Sequence, residues 1–201
     1  MTYSPSSSLN RLARAGVLAV AVVMVVAGAA SPAAAVDDPA APPSLVRRAL
    51  PVGPPRGGGE LRFRGLRIYG ARLWVGPQFK AADFGDHPLA LELKYHRAFK
   101  GTAIAQRSID EIRRQGELAP ALAQHWQKAL TALLPDVQPG DRLTGLYQPG
   151  QGMRFWRGEQ PLGATDDAEL ARRFFAIWLS PTTSEPGLRS ALLARRLEGG
   201  P

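Results

Sequence analysis

The chain has 201 residues, with 25 Lys and Arg against 17 Asp and Glu and no cysteine. That composition excludes disulfide staples, thiol nucleophiles and cysteine-based metal clusters. The basic excess is scattered, with no long block of like charge and no recognition motif, so nucleic acid is not an expected partner.

The N-terminus predicts a cleavable secretory signal peptide over residues 1–35. Arg11 and Arg14 precede the apolar run AGVLAVAVVMVVAGAA, and Ala33 and Ala35 fit the small-x-small rule for cleavage after Ala35. The run is shorter than the roughly 20 residues a bilayer requires. No cysteine follows it to carry a lipid, and the two arginines are not adjacent as a twin-arginine signal demands. The expected location is periplasmic or secreted. Without residues 1–35 the chain keeps 23 basic and 17 acidic residues. It has no second apolar span, so the mature protein is not expected to span a membrane.

Residues 36–59 are rich in Pro, Ala and Gly, lack periodicity, and are expected to form a disordered linker. Residues 60–201 are expected to form one domain, long enough to bury a core without staples.

Glu60 to Trp74 reads as extended structure. Its apolar phase changes at Gly65, which predicts a bulge or tight turn there. Leu89, Leu91, Leu93 and Tyr95 alternate as in a half-buried strand. Thr102 to Arg114 predicts a helix with Ile104, Ala105, Ser108, Ile109 and Ile112 on one face. A second helix, Ala121 to Leu134, carries Trp126 on its apolar stripe and stops at Pro135. Asp141 to Tyr147 and Met153 to Trp156 read as short strands around a Pro-Gly turn. Asp166 and Asp167 suit the N-terminal dipole of a helix bearing Leu170, Phe174, Ile177 and Trp178. A last amphipathic helix is expected from Pro186 to Leu197. Strands and helices come in groups, so the class is α+β with an antiparallel sheet.

The chain has no G-x-S-x-G elbow, Walker glycine loop or dinucleotide glycine pattern. His87, His96 and His125 do not pair at ligand spacing, and no metal or cofactor is called for. Asp110 and Glu111 are adjacent on a helix, about 100° apart, and do not form a dyad as they stand. Arg64, Arg67 and Arg72 alternate with apolar residues, either on a wet sheet face or with one arginine turned into a cleft toward an anion. Tyr95 and Arg97 share one parity at a strand end, and either supply a hydroxyl and a charge to one place or cap the sheet edge. Trp126, Trp156 and Trp178 are assigned to the core.

Four stretches in order, RFRGLRIYGARLW, LELKYHRAFKGTAIAQRSIDEIRRQG, PDVQPGDRLTGLYQPGQGMRFWRGEQPLG and ARRFFAIWLSPTTSEPGLRSALL, resemble the bacterial exported chalcone isomerase-like proteins. The resemblance runs from about Glu60 to Leu193. It implies an open-faced β-sandwich, with an antiparallel sheet, a helical layer on one side and a ligand cleft between them. Enzymes of this fold cyclise chalcones, while non-enzymatic members bind fatty acids with an arginine and a tyrosine near the carboxylate.

By the same resemblance the catalytic threonine position falls at Arg64, the tyrosine at Ile104 and the asparagine at Glu111. The catalytic arginine has no clear match, with Arg56 the nearest candidate. The cleft candidates are therefore Arg64, Tyr69, Tyr95, Arg97, Ile104 and Glu111. Ile104 donates no hydrogen bond and Glu111 repels a phenolate, so chalcone cyclisation is not expected. The expected partner is a small amphipathic molecule such as a fatty or aromatic acid. The alternatives are an intramolecular lyase or isomerase with a rearranged site, and an envelope protein-interaction domain.

Overall fold

The computed structural model describes residues 44–50 and 55–194. The signal-peptide segment lies outside them. Among the described residues no helix is long and apolar enough to cross a membrane.

Strands β1 (Gly57–Phe63), β2 (Leu66–Val75) and β3 (Leu89–Tyr95) open the sheet, and β4 (Arg142–Gln148), β5 (Gly152–Arg157) and β6 (Gln160–Thr165) complete it. All six run antiparallel in sequence order. Helices α2 (Gly101–Arg114) and α3 (Pro120–Leu133) fill the crossover from β3 to β4. Helices α4 (Ala168–Leu179) and α5 (Pro186–Leu193) follow β6. The fold is α+β, as the grouping of elements predicts.

The hairpin between β1 and β2 turns on Arg64 and Gly65, with φ of 48° and 81°. Two successive left-handed residues make the two-residue turn whose twist matches antiparallel strands. The expected change of phase has a second cause. The register passes from Leu61 opposite Tyr69 to Arg62 opposite Arg67, so Ile68 is the extra residue of a bulge.

The main core lies between the sheet and helices α2 to α5. Leu73, Leu91, Leu143, Tyr147 and Met153 pack from the sheet against Ile109, Leu130, Leu170 and Phe175. Asp167 caps α4 by accepting from the Leu170 amide at 2.8 Å, and its second oxygen accepts from the Trp126 indole at 2.8 Å. One carboxylate thus fixes the start of α4 against α3.

Four expectations are corrected. The linker is structured in two places: Ser44–Ala49 forms a helix, α1, and Gly57 to Gly59 begin β1. A Cβ on Gly57 would stand 2.3 Å from the Ala191 carbonyl oxygen, and one on Gly59 would stand 2.9 Å from the Ala191 methyl. The glycines are there because α5 crosses the strand at backbone distance.

The β3 strand is buried on both faces. Val46 and Leu50 cover Trp74, Ala90, Leu146 and Trp156 on the outer face, forming a second small core. The third correction is β6, whose Pro161 and Gly163 obscured it as a strand. Proline is accepted there because β6 lies at the sheet edge. The last helix ends at Leu193.

Candidate functional site

A cavity of about 450 Å³ lies between the sheet and the helices. Its floor is laid by strand register. Leu61, Tyr69 and Tyr95 form one cross-strand row, and Leu91, Gly145 and Phe155 another. Helix α2 contributes Ala103, Ile104, Arg107, Ser108 and Glu111, and α4 contributes Phe174, Phe175, Ile177 and Trp178. Gly145 keeps the floor thin, since a Cβ there would stand 3.0 Å from both the Phe155 and the Phe175 ring.

Most of this lining is apolar, and its polar groups are few. Tyr69 and Tyr95 pack edge to face with ring centroids 5.9 Å apart. The Trp178 indole N–H donates to the Tyr69 hydroxyl at 2.9 Å. That bond occupies an oxygen lone pair and leaves the Tyr69 proton free to donate to a third group. Burial pushes both phenols well above the ordinary tyrosine range, the Trp178 bond partly opposing it at Tyr69 and the neighbouring Tyr69 adding to it at Tyr95. Both therefore stay protonated donors at neutral pH.

Glu111 is 5 % exposed. Arg107 Nη2 stands 2.5 Å from one of its oxygens, and Arg114 Nε stands 3.6 Å from the other. Arg107 lines the cavity beside Glu111, and Glu185 brings a second carboxylate to the lining. Ser108 turns its hydroxyl onto the Ile104 carbonyl at 2.9 Å, which satisfies it within α2.

Of the six cleft candidates, Tyr69, Tyr95, Ile104 and Glu111 line the cavity. Arg64 and Arg97 do not. Arg64 is the first residue of the hairpin turn, exposed, its guanidinium 5.5 Å over the Phe63 ring. A two-residue turn projects its side chains beyond the sheet and cannot aim them back over the floor. Arg97 is exposed just past the end of β3. Arg56 is held elsewhere, donating to the Leu193 carbonyl at 3.2 Å and stacking 5.3 Å from the Phe79 ring. Arg107, Ser108, Phe63 and Trp178 are cavity residues that the sequence reading did not name as such. The Arg107-Glu111 spacing of four on one helix was the available signal for the first.

Two comparisons bear on this architecture. A fatty-acid binding protein from Arabidopsis thaliana is similar in structure, with a TM-score of 0.54 and 11 % sequence identity over 70 % of this chain and 86 % of that one. At that identity the likeness shows the fold alone. The family model described as chalcone isomerase-like matches residues 79–194, more than half of the sequence. The chain belongs to the chalcone isomerase-like family. No curated protein sequence matches it. Within the chalcone isomerase-like fold, the match begins after β2 and takes in α2 and α4, so it covers most of the cavity walls while leaving the β1–β2 hairpin outside.

Proposed function

We propose that this chalcone isomerase-like chain is an exported binding protein that holds a small amphipathic acid, fatty or aromatic, in the cavity between sheet and helices. The observation that carries this reading is an apolar chamber in which two neutral phenol donors, Tyr69 and Tyr95, stand side by side and Arg107 joins the lining. Such a chamber suits a ligand with an apolar body and one anionic head. The head accepts from the Tyr69 and Tyr95 hydroxyls, and Arg107 balances its charge. The Arabidopsis relative's description as a fatty-acid binding protein is consistent with this ligand class.

Native mass spectrometry of protein purified from its own cells, followed by displacement of a fluorescent fatty acid, tests the reading. Expected are a co-purified acid and displacement by a free fatty acid in preference to its methyl ester. Absence of any adduct together with failure to displace would overturn it. Export rests on Arg11, Arg14, the apolar run and Ala33-x-Ala35. The mass of the exported form is expected to begin at Val36, and an intact Met1 on that form contradicts it.

A further inference from the structure

The two large hydrophobic side chains most exposed among the described residues are neighbours. Phe63 is 62 % exposed and Leu66 is 51 % exposed. They form the cross-strand pair that closes the β1–β2 hairpin. Directly opposite side chains in a strand pair share a face, and Phe63 lines the cavity. The apolar surface of the tip is therefore continuous with the interior of the chamber through Leu61 and Ile68, which also line it. Every residue from Arg62 to Arg67 is exposed.

The same tip is basic. Arg62 and Arg67 are the next cross-strand pair, on the other face, and both grip the Glu60 carboxylate between them. Arg64 sits at the apex with its guanidinium over the Phe63 ring. Three arginines against one glutamate leave the tip positive.

An apolar wedge flanked by guanidinium groups at the mouth of an apolar chamber has the chemistry of a membrane-surface element. The apolar side chains enter the boundary of the acyl chains while the arginines meet lipid phosphates. We propose that the β1–β2 hairpin tip docks on the surface of an anionic lipid bilayer, so that the cavity mouth opens onto the membrane. The proposal rests on the cavity holding an amphipathic ligand, and it gives that ligand a route in and out without crossing water.

The test is co-sedimentation of the full chain with vesicles of phosphatidylcholine alone or mixed equally with phosphatidylglycerol. Association with the anionic vesicles and much less with the neutral ones is expected. Arg64→Glu lowers the partition constant roughly thirtyfold, from about 1 kcal/mol for each of two units of charge. Leu66→Ser lowers it roughly three- to tenfold, since about half of a leucine side chain is withdrawn from the lipid. Neither residue lines the cavity, so both variants should displace a fluorescent fatty acid in vesicle-free buffer as the parent does.

No association with anionic vesicles, equal association with neutral ones, or partition unchanged in both variants would overturn the docking. A parent protein that docks as described but displaces no fatty acid would refute the cavity ligand and leave the docking standing.

Discussion

Tyr69 and Tyr95 stand side by side in the cavity floor, yet removing their hydroxyls is expected to have different consequences. In Tyr69→Phe the Trp178 indole N–H loses its acceptor. Trp178 is 7 % exposed, so water does not readily replace that partner. An orphaned buried donor costs roughly 1–3 kcal/mol. In a domain of this size each kcal/mol lowers the melting temperature by roughly 2–4 °C. The Tyr95 hydroxyl, unlike that of Tyr69, has no side-chain hydrogen bond among the described residues; burial and the neighbouring Tyr69 set its state. Tyr95→Phe therefore leaves stability within about 0.5 kcal/mol of the parent. Affinity for a fatty acid should fall in both. A hydrogen bond donated to a charged acceptor contributes roughly 1.5–3 kcal/mol, or about ten- to a hundredfold in Kd. Urea unfolding of the apo proteins and fluorescent fatty-acid displacement read the two quantities separately. Equal destabilisation by both substitutions, or an unchanged Kd in Tyr95→Phe, would refute the division of roles between the phenols.

Asp167→Ala removes the α4 cap and the acceptor for the buried Trp126 indole together, so a loss of roughly 2–4 kcal/mol in urea unfolding is expected. The raised phenol pKa values of Tyr69 and Tyr95 make folding stability insensitive to these groups at neutral pH. Above the ordinary tyrosine value of 10.0 the unfolded chain loses protons that the folded chain keeps, so stability falls as pH rises. Tyr95→Phe should flatten part of that fall in melts taken on either side of pH 10. Arg64→Ala is expected to leave fatty-acid affinity in vesicle-free buffer within twofold of the parent, because the side chain stands at the hairpin apex; a tenfold loss would place it at the ligand. A hydroxylated chalcone should cyclise no faster with the protein than in buffer when followed by absorbance, since Ile104 offers the cavity no donor and Glu111 presents a carboxylate.

The pattern of the sheet was legible where one side chain in two faces a core. Leu89, Leu91, Leu93 and Tyr95 announce β3, and the parity that puts Tyr95 inward is what placed it at the site. The same parity could not show that Ala90 is buried as well, because its cover comes from Val46 of α1 and from Leu50, within a segment whose Pro, Ala and Gly content reads as linker. Glycine carries no periodic signal, so Gly57 to Gly59 gave no sign of being a strand. Their role is visible only once α5 lies across them. The arginines misled for a related reason. Alternation assigns Arg64 a face, but a residue in a two-residue turn belongs to neither face. Tyr69 lines the cavity, as do Ile104 and Glu111, which the resemblance rather than their spacing brings to the cleft; each sits inside a regular element.

The contact between Gly57, Gly59 and the backbone of α5 has a consequence for the order in which the molecule comes together. Glycine-rich strands gain no side-chain packing of their own and lose more backbone freedom on ordering than any other sequence. The β1 edge of the sheet therefore waits on α5, more than 120 residues further along the chain. Leu61 and Phe63 belong to that same strand, so one wall of the chamber is set only when α5 has arrived. A chain still emerging from the ribosome has the centre of its sheet available to fold, but it does not yet have a finished binding site.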